Sequence, residues 1–356
     1  MAIGIAILGA GLFGKDEYLP AILSNEVFSL RAVYSRSQVS SLSFATAASL
    51  ALENAYFTTP PNEAQSLESL LARPDIQAVM IALPIPAQPA MIHAALHAGK
   101  HVLSEKPIAK DVATAESLLT EYNRLYQGQG LIWSVAENFR FIPQILYGVE
   151  QLKRIGGNVT SFQISVHDLV KEGNPFYGTE WRKSPEYQGG FILDGGVHFL
   201  AGLRYFLAAV GDRIEKVVAF STQIEAHLPP IDTLNGALLL KSGRSGTINF
   251  SYGTEFKSDF LIEVVTSKGG VSMTPAGVRI VESDGKGGKK EVVQSFGFVS
   301  GVKTEVEVFR KAVLGQTIGG DERMSAQEAL IDLTVVERLL RSGEGGGVLD
   351  VCCMQF

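Results

Sequence analysis

Two side chains suited to proton transfer stand four positions apart in the second half of the chain. Asp194 and His198 enclose the glycine pair Gly195-Gly196. On a helix, residues i and i+4 share a face, so the carboxylate and the imidazole can point into one cleft. Because a histidine titrates near neutral pH, it can accept or release a proton there. A helix that packs tightly through its glycines and carries a core histidine would give the same pattern, and the residues alone leave both interpretations open.

A lysine precedes a proline at the predicted end of a buried strand. Residues 101–107 end in Glu105-Lys106-Pro107, directly after an apolar pair. Ligands of open α/β sheets bind at the carboxyl ends of the strands, and a proline restricts the residue before it. Lys106 is therefore well placed for the reactive end of a ligand, although the local pattern taken alone favours a solvated loop lysine.

A glycine-rich turn follows the first predicted strand. Gly9, Gly11 and Gly14 have the spacing of the dinucleotide-binding fingerprint, with Leu12 and Phe13 between them. One glycine permits the tight turn, one lets the backbone approach a pyrophosphate, and one lets the following helix pack on the strand. The helix N-terminus then offers unpaired N–H groups to the phosphates. We expect all five residues to bind the cofactor.

The end of the second predicted strand bears on which dinucleotide binds. NAD-binding proteins place an acidic residue there to hold the ribose hydroxyls, whereas this strand ends in Tyr34-Ser35-Arg36-Ser37 without a carboxylate. Ser35 can donate a hydrogen bond to a 2′-phosphate, and Arg36 can pair with that phosphate or stack on the adenine. The sequence therefore predicts NADP(H) as the preferred cofactor, with NAD(H) possible and a solvated loop arginine as the alternative.

Alternating strand and helix patterns must position these groups in the first part of the chain. Apolar runs at residues 3–8, 28–34 and 78–83 predict buried strands. Apolar residues at helical spacing predict helices over residues 91–98 and 112–126. This alternation is typical of a doubly wound parallel sheet, the Rossmann dinucleotide-binding arrangement.

Farther along, the pattern changes to strands without intervening helices. The predicted strands lie at residues 159–166, 216–224, 236–241, 247–252 and 260–266, with a hairpin tip at 286–290 and two helices near 304–314 and 326–341. Alternation of apolar and polar residues in the first of these strands fits a half-solvated antiparallel sheet. We therefore predict an α/β Rossmann domain over residues 1–130 and an α+β domain with an open, mostly antiparallel sheet over residues 131–356.

Composition limits the classes of function. The 356 residues are 46% hydrophobic and 19% charged, which suits a soluble protein of about two domains. A net charge of −6 gives no support to binding nucleic acid or an acidic membrane, and the apolar runs are short for a membrane span. No basic leader precedes the first strand, and the cysteines are only Cys352 and Cys353, so we expect a cytoplasmic protein.

The histidines suggest no metal site. His93, His97 and His101 are evenly spaced, but Gly99 and the strand that begins at Val102 end the helix before His101. We interpret the three histidines as helix and loop surface and predict that no metal is bound.

Together these motifs resemble those of the glucose–fructose oxidoreductase / inositol dehydrogenase (Gfo/Idh/MocA) family over nearly the whole chain. The Glu-Lys-Pro element, followed about 90 residues later by Asp-x-x-x-His, is the most specific part. The motifs are Gly9-Ala10-Gly11-Leu12-Phe13-Gly14, Tyr18-Leu19-Pro20-Ala21, Ala82-Leu83-Pro84, Ala98-Gly99-Lys100-His101-Val102-Leu103-Ser104-Glu105-Lys106-Pro107, Glu137-Asn138-Phe139-Arg140-Phe141, Trp181-Arg182 and Leu193-Asp194-Gly195-Gly196-Val197-His198.

The resemblance implies an NAD(P)-dependent dehydrogenase or reductase of a sugar, a polyol or a related carbonyl compound. It implies that Lys106 hydrogen-bonds the reacting oxygen and the cofactor, that His198 is the general acid/base and that Asp194 lies beside it in the substrate site. Glu105 and Pro107 would flank the nicotinamide. The second domain would bind the small-molecule substrate and form a homo-oligomer, a dimer or tetramer, through its sheet.

Further cofactor contacts are expected from residues after two other strands and from the second domain: Leu83, Pro84, Asn138, Trp181 and Arg182. Trp181 can offer a ring face to the sugar or the cofactor, and Arg182 can bind a substrate hydroxyl or carboxylate. A packed tryptophan beside a surface arginine is an equally good interpretation of the same pair.

The chain departs from the family pattern at one loop position. Many members carry a histidine four residues after the proline that matches Pro84, where this chain has Gln88. A cofactor contact from that loop is therefore left open. Two alternatives to a sugar or polyol oxidoreductase also remain: a non-catalytic dinucleotide-binding regulator of the same fold, and a reductase of an imine, a dihydrodiol or a secondary-metabolite ketone.

Overall fold

A computed structural model of the chain describes residues 2–351, which form two compact units. The first unit comprises the chain up to Glu137 together with Val302–Leu330. The second comprises Asn138–Gly301 together with the chain from Ile331 onward. Cys352 and Cys353 lie outside the described residues.

The first unit contains a six-stranded parallel sheet. Its strands are β1 Ile3–Leu8, β2 Phe28–Ser37, β3 Ala55–Thr59, β4 Ala78–Ile81, β5 His101–Glu105 and β6 Trp133–Ala136. They lie in the order β3-β2-β1-β4-β5-β6, and each neighbouring pair is parallel. The order reverses between β1 and β4, where open α/β sheets bind ligands outside the carboxyl ends of the strands. The predicted Rossmann arrangement is confirmed.

Helices connect these strands: α1 Leu19–Leu23, α2 Gln38–Ala47, α3 Leu67–Leu71, α4 Gln88–His97 and α5 Val112–Leu125, with a π-helical turn at Gly14–Tyr18 before α1. β1 and β4 are buried at every position, which explains why both appear in the sequence as continuous apolar runs. β3 and α2 were not predicted, because neither segment has a clear apolar period.

The second unit contains a nine-stranded sheet that is mostly antiparallel. Its strands are β7 Val159–His167, β8 Ile214–Thr222, β9 Thr233–Leu240, β10 Ser245–Ser251, β11 Asp259–Thr266, β12 Gly269–Thr274, β13 Gly277–Ser283, β14 Lys289–Gln294 and β15 Asp350–Val351. The order is β14-β13-β12-β11-β7-β10-β9-β8-β15, and only β7 and β10 pair in parallel. The predicted open, mostly antiparallel sheet is confirmed.

Helices of the second unit pack on this sheet: α6 Pro143–Ile155, α7 Glu180–Lys183, α8 Gly190–Asp194 and α9 Gly196–Ala209. On β7, Phe162, Ile164 and Val166 are buried, which matches the predicted alternation. The Phe206 side chain of α9 packs directly on α6, since a Cβ atom at Gly148 would lie 2.3 Å from the Phe206 ring. Asp194 is the last residue of α8, and His198 lies in α9.

The helix α10, Val302–Val313, belongs to the first unit, so the compact units divide the chain differently from the predicted domains at residue 130. Its apolar side packs there: Val306 and Phe309 are buried, and the Phe309 ring centroid lies 6.3 Å from that of Phe28. A change in strand pattern marks where a new sheet begins. It does not reveal that a later helix returns to the earlier unit.

One helical stretch in the described part of the chain, Gly190–Ala209, is long and apolar enough by composition to cross a membrane. Within the protein 67% of it is buried, as in the core helix of a globular unit. The expectation that apolar stretches are too short for a span overlooked this segment, because polar residues interrupt its apolar runs.

A buried ion-pair triad joins segments of the second unit that are far apart in sequence. Asp332, in α11 (Ala326–Glu344), accepts a hydrogen bond of 2.6 Å from Arg140 at one oxygen and another from Arg204 at the other. Arg140 and Asp332 are almost fully buried. The Arg140 of the Glu137–Phe141 motif is thus a structural residue.

Replacing Asp332 tests this triad. Asp332→Asn removes the buried carboxylate charge that both guanidinium groups contact, and we expect a loss of about 3 kcal/mol in the free energy of unfolding, measured in urea. The control Glu291→Gln removes the exposed partner of Arg279 in the same unit and should unfold at nearly the wild-type urea concentration. Equal losses from the two variants would contradict the role given to Asp332.

Candidate functional site

The fingerprint glycines after β1 each meet a different spatial requirement. Gly9 has φ +127°, and a Cβ there would lie 2.1 Å from the Ala82 carbonyl oxygen. A Cβ at Gly14 would lie 2.6 Å from the Gly9 oxygen, so Gly14 permits helix packing. No atom lies within 4 Å of a Cβ built on Gly11. The turn therefore leaves open space at Gly11, and the residues fit a bound dinucleotide pyrophosphate.

The other residues expected to contact the cofactor in the first unit are partly accessible. Leu12 is 44% exposed and Phe13 is half-buried, next to the open space. Leu83 and Pro84 are half-buried directly after β4. Gln88 is buried at the start of α4, and its Oε1 has no hydrogen-bond partner among the described residues.

The end of β2 carries no carboxylate in the structure either. Ser35 is half-buried and Arg36 is exposed, near the carboxyl end of the strand. No described residue accepts a hydrogen bond from the Arg36 side chain. Ser37 caps α2 with its side chain, accepting from the Ser40 N–H. An anionic group on an adenine ribose would therefore find an available guanidinium here.

Lys106 follows β5, whose last residue is Glu105, and the Lys106–Pro107 peptide bond is cis. The Tyr18 hydroxyl donates a hydrogen bond of 2.5 Å to Glu105 Oε1. Burial raises the pKa of Glu105 to about 7, against the opposing effects of the Lys106 charge and the Tyr18 hydrogen bond. The carboxyl next to Lys106 is consequently able to gain or lose a proton near neutral pH.

Asp194 and His198 lie on either side of a helix junction in the second unit. Asp194 ends α8 and is buried, and His198 stands near the start of α9 and is half-buried. The junction needs glycine: a Cβ at Gly195 would lie 2.8 Å from the Tyr252 hydroxyl oxygen, and one at Gly196 would lie 2.9 Å from the Phe250 ring. The glycine-packing interpretation of this segment therefore applies, and its part in proton transfer stays a prediction.

Phe139 supports the imidazole of His198. The two rings stack with centroids 4.8 Å apart and an interplanar angle of 17°. Phe199 contacts the same phenylalanine edge-on at 5.0 Å. This stack fixes the plane of the imidazole. Phe139 stands within the Glu137–Phe141 motif, and its residue type alone predicted no role. Its place in that motif was the one sequence signal that could have pointed to it.

Arg182 pairs with Asp194. Its Nε donates to Asp194 Oδ2 at 2.6 Å, and both side chains are largely buried. The guanidinium carbon lies 4.0 Å from the Trp181 ring centroid and 5.4 Å from that of Phe176. The structure thus brings three predicted site residues together, and it binds the Arg182 guanidinium to a protein carboxylate.

Two tyrosines that the sequence analysis missed adjoin this pair. Burial raises the pKa of Tyr187 and of Tyr252 well above the usual range, and the nearby Asp194 charge raises both further. The Tyr252 hydroxyl is buried and has no hydrogen-bond partner within residues 2–351. Tyr252 lies far from the Asp194–His198 motif in sequence, and Tyr187 belongs to no pattern of its own. No local signal in the sequence therefore pointed to either tyrosine.

Asn138 belongs to the second unit, and its side chain contacts the backbone of that unit. The Asn138 side-chain amide donates a hydrogen bond of 2.5 Å to the Ser300 carbonyl oxygen. This contact orients the amide. Its predicted part in cofactor binding stays a prediction.

The histidines considered for metal binding have other contacts. His93 pairs with Glu121 at 3.0 Å and stacks on His97. We expected His101 on the surface of a helix or loop, and the structure corrects this. His101 begins β5, is half-buried, and accepts a hydrogen bond of 3.1 Å from the Ile132 N–H. Over the described ranges, no group of three His, Cys, Asp or Glu residues is arranged to hold a metal ion.

The junction at Gly195 can be tested directly. Gly195→Ala forces the buried Tyr252 ring or the end of α8 to shift, which we expect to lower the unfolding free energy by about 1–3 kcal/mol. The control is Gly173→Ala in the same unit, where a Cβ meets no atom within 4 Å. Melting temperatures report the difference, and equal values for the two variants would show that Tyr252 does not constrain this junction.

Sequence comparison identifies two family domains in the chain. Residues 3–127 match the pattern described as the oxidoreductase family with an NAD-binding Rossmann fold. Residues 154–272 match the GFO/IDH/MocA C-terminal domain. The first match covers most strands of the parallel sheet, and the second covers much of the antiparallel sheet.

Several known proteins resemble the chain over almost its whole length. A Fusarium mangiferae protein named dehydrogenase FPY6 is 42% identical over 97% of both chains. A D-xylose 1-dehydrogenase (NADP(+)) of Haloferax volcanii is 24% identical over 97% of this chain and 98% of its own. The solved structure of an oxidoreductase from Thermotoga maritima, 26% identical, covers 99% of both chains with a TM-score of 0.82. The chain belongs to the Gfo/Idh/MocA family of NAD(P)-binding oxidoreductases.

Proposed function

We propose that the protein is an NADP(H)-dependent oxidoreductase that interconverts a hydroxyl and a carbonyl group on a sugar, a polyol or a related small molecule. The observation that carries the proposal is the Asp194–His198 junction, where a proton-transferring imidazole is held by Phe139 beside a buried carboxylate. When bound, the cofactor supplies the hydride donor or acceptor. The remaining steps fall to side chains of this chain.

His198 is proposed as the general acid/base. In oxidation it takes the proton from the substrate hydroxyl, and in reduction it returns a proton to the developing alkoxide. The stack on Phe139 limits rotation of the imidazole, which keeps its nitrogens directed along one plane. Such catalysis contributes about 10²–10⁴-fold in rate.

Lys106 is proposed to stabilise negative charge on the reacting oxygen. Its ammonium group is a compact cation with three donors, and a positioned cation lowers the energy of an alkoxide-like transition state. Lys106 stands after β5, at the edge where open α/β sheets bind ligands. Glu105 and Pro107 would then flank the nicotinamide.

The substrate class rests on the surroundings of Asp194. Arg182 already pairs with Asp194, so this part of the site carries little net charge and suits hydroxyl groups better than a carboxylate. Trp181 adds an aromatic ring next to this pair, with the Arg182 guanidinium over one face, and sugars present apolar C–H faces to such rings. The similarity to an NADP⁺-dependent D-xylose dehydrogenase agrees with this class.

The proposal includes a homo-oligomer, a dimer or tetramer, formed through the nine-stranded sheet. Phe220 on β8 and Val292 and Val293 on β14 are exposed apolar residues of that sheet. These residues lie near opposite ends of the strand order, so the oligomer is proposed from the family resemblance and not from one continuous apolar patch.

Arg36 tests the cofactor preference. In wild-type protein NADPH should bind more tightly than NADH, and Arg36→Ala should weaken NADPH binding about 10- to 100-fold, because a charge-assisted contact to the 2′-phosphate is lost. NADH binding should change little. Cofactor fluorescence titration measures both, with Arg124→Ala as a surface control. Tighter binding of NADH by the wild-type protein would refute the preference.

Lys106 and His198 test the mechanism. NADP⁺-linked oxidation of D-xylose, D-glucose, myo-inositol and glycerol, and NADPH-linked reduction of ketones, should reveal a substrate. Lys106→Met and His198→Asn should each lower kcat/KM by about 10²-fold or more while cofactor affinity stays within a few-fold.

The control for charge alone is Lys110→Met, an exposed lysine four positions away. It should leave turnover unchanged. Full activity of the Lys106→Met protein would show that the proposed mechanism is wrong. Tight NADPH binding without turnover of any tested compound would favour the regulator of the same fold.

A further inference from the structure

Glu305 is a fully buried carboxyl group that lacks any hydrogen-bond partner within residues 2–351. It lies on α10 in the first unit and has 0% exposure. Both of its carboxyl oxygens are without a partner among the described residues. A charged carboxylate in such a place would be strongly destabilising, because neither water nor a donor compensates its charge. The group must therefore be neutral or must exchange a proton with a neighbour.

The charged groups that act on Glu305 are acidic. Glu17 and Tyr18 lie in the π-helical turn, Glu105 ends β5, and Glu137 follows β6. We call these four residues and Glu305 the buried acid cluster. Burial raises the pKa of Glu305 well above its ordinary value, and the charges of Glu105, Glu137 and Glu17 raise it further.

Lys106 is the cation whose charge acts on this cluster through Glu105. Tyr18 is also fully buried, and its pKa is raised by burial and by the charges of Glu105 and Glu305. Each further ionisation would add a negative charge where several already act on one another. Carboxyl groups coupled in this way lose their protons in steps that belong to the group as a whole.

We propose that Glu305 is a positioning residue that retains a proton inside the buried acid cluster and thereby limits the negative charge next to Lys106. The proposal rests on the role proposed above for Lys106. When Glu305 carries a proton, Glu105 is the carboxyl group whose charge interacts with that of Lys106. The region next to Lys106 then lacks the excess negative charge that would repel an anionic cofactor.

The pH dependence of stability follows with a definite sign. A carboxyl whose pKa is raised on folding contributes stability that is present below its unfolded pKa, about 4.5, and lost as pH rises towards the folded value. Glu305→Gln imitates the protonated acid and cannot ionise. The variant and the wild type should therefore melt at similar temperatures at pH 5.5, and the variant should melt a few degrees higher at pH 9.

Glu307→Gln on the same helix is the matched control. Glu307 pairs with Arg310, and that hydrogen bond lowers its pKa, so its contribution is present throughout pH 5.5–9. The control should show a constant deficit in melting temperature over that range. If Glu305→Gln shows the same constant deficit, Glu305 is an ionised, paired carboxylate and the proposal is wrong.

A second measurement reports on the cofactor site. NADPH affinity, followed by fluorescence titration from pH 5.5 to 9.5, should weaken at the alkaline end in the wild type, as the cluster gains negative charge. In Glu305→Gln this weakening should shift by about one pH unit or more to the alkaline side. Identical profiles for the two proteins would overturn the link to the cofactor and lysine.

The wild type alone provides a further test if the variant does not fold. At pH 8 in D₂O, exposed carboxyl groups are ionised, and a retained proton on Glu305 should give the infrared carbonyl band of a protonated carboxyl. Absence of that band overturns the proposal. None of these measurements uses a substrate, so failure to find turnover would reject the proposed function without affecting this result.

Discussion

Close approach of other atoms to glycine holds candidate site residues in place within each unit. In the first unit, the turn after β1 meets the Ala82 carbonyl at a distance that only Gly9 allows. In the second unit, Gly195 lets the Tyr252 hydroxyl reach the junction between α8 and α9. The open space at Gly11 and the placement of Asp194 both follow from these contacts. Rigid backbone contacts of this kind keep functional groups in place without help from the ligand.

Buried charges are handled in two different ways in this protein. Asp332 and Asp194 are each neutralised by arginine, which provides hydrogen bonds as well as a countercharge. Glu305 has no such partner, and a proton takes the place of the missing cation. The difference is physical: a paired carboxylate stays ionised over the working pH range, whereas an unpaired one in an apolar setting responds to pH.

Much of the fold was predictable because its signals are local. The buried strands β1 and β4 appear as apolar runs, and the fingerprint glycines follow β1 at fixed spacing. The elements that were not predicted, β3 and α2, have no clear apolar period. The domain boundary predicted at residue 130 also did not reveal that α10 returns to the first unit. In the site, Asp194 and Arg182 were singled out separately, but their ion pair depends on the path of the chain between them.

The sequence by itself determined the fold class, the dinucleotide fingerprint and the acidic, basic and imidazole groups available for chemistry. Residue type and spacing are sufficient for these, because strand period, turn geometry and helix faces involve neighbours in the chain. Only the tertiary structure decided that Phe139 stacks on His198, that Tyr252 requires Gly195 and that Glu305 is buried among acids. Burial and contact between distant segments set these relations, since the free energy of a charge or ring depends on what surrounds it in space.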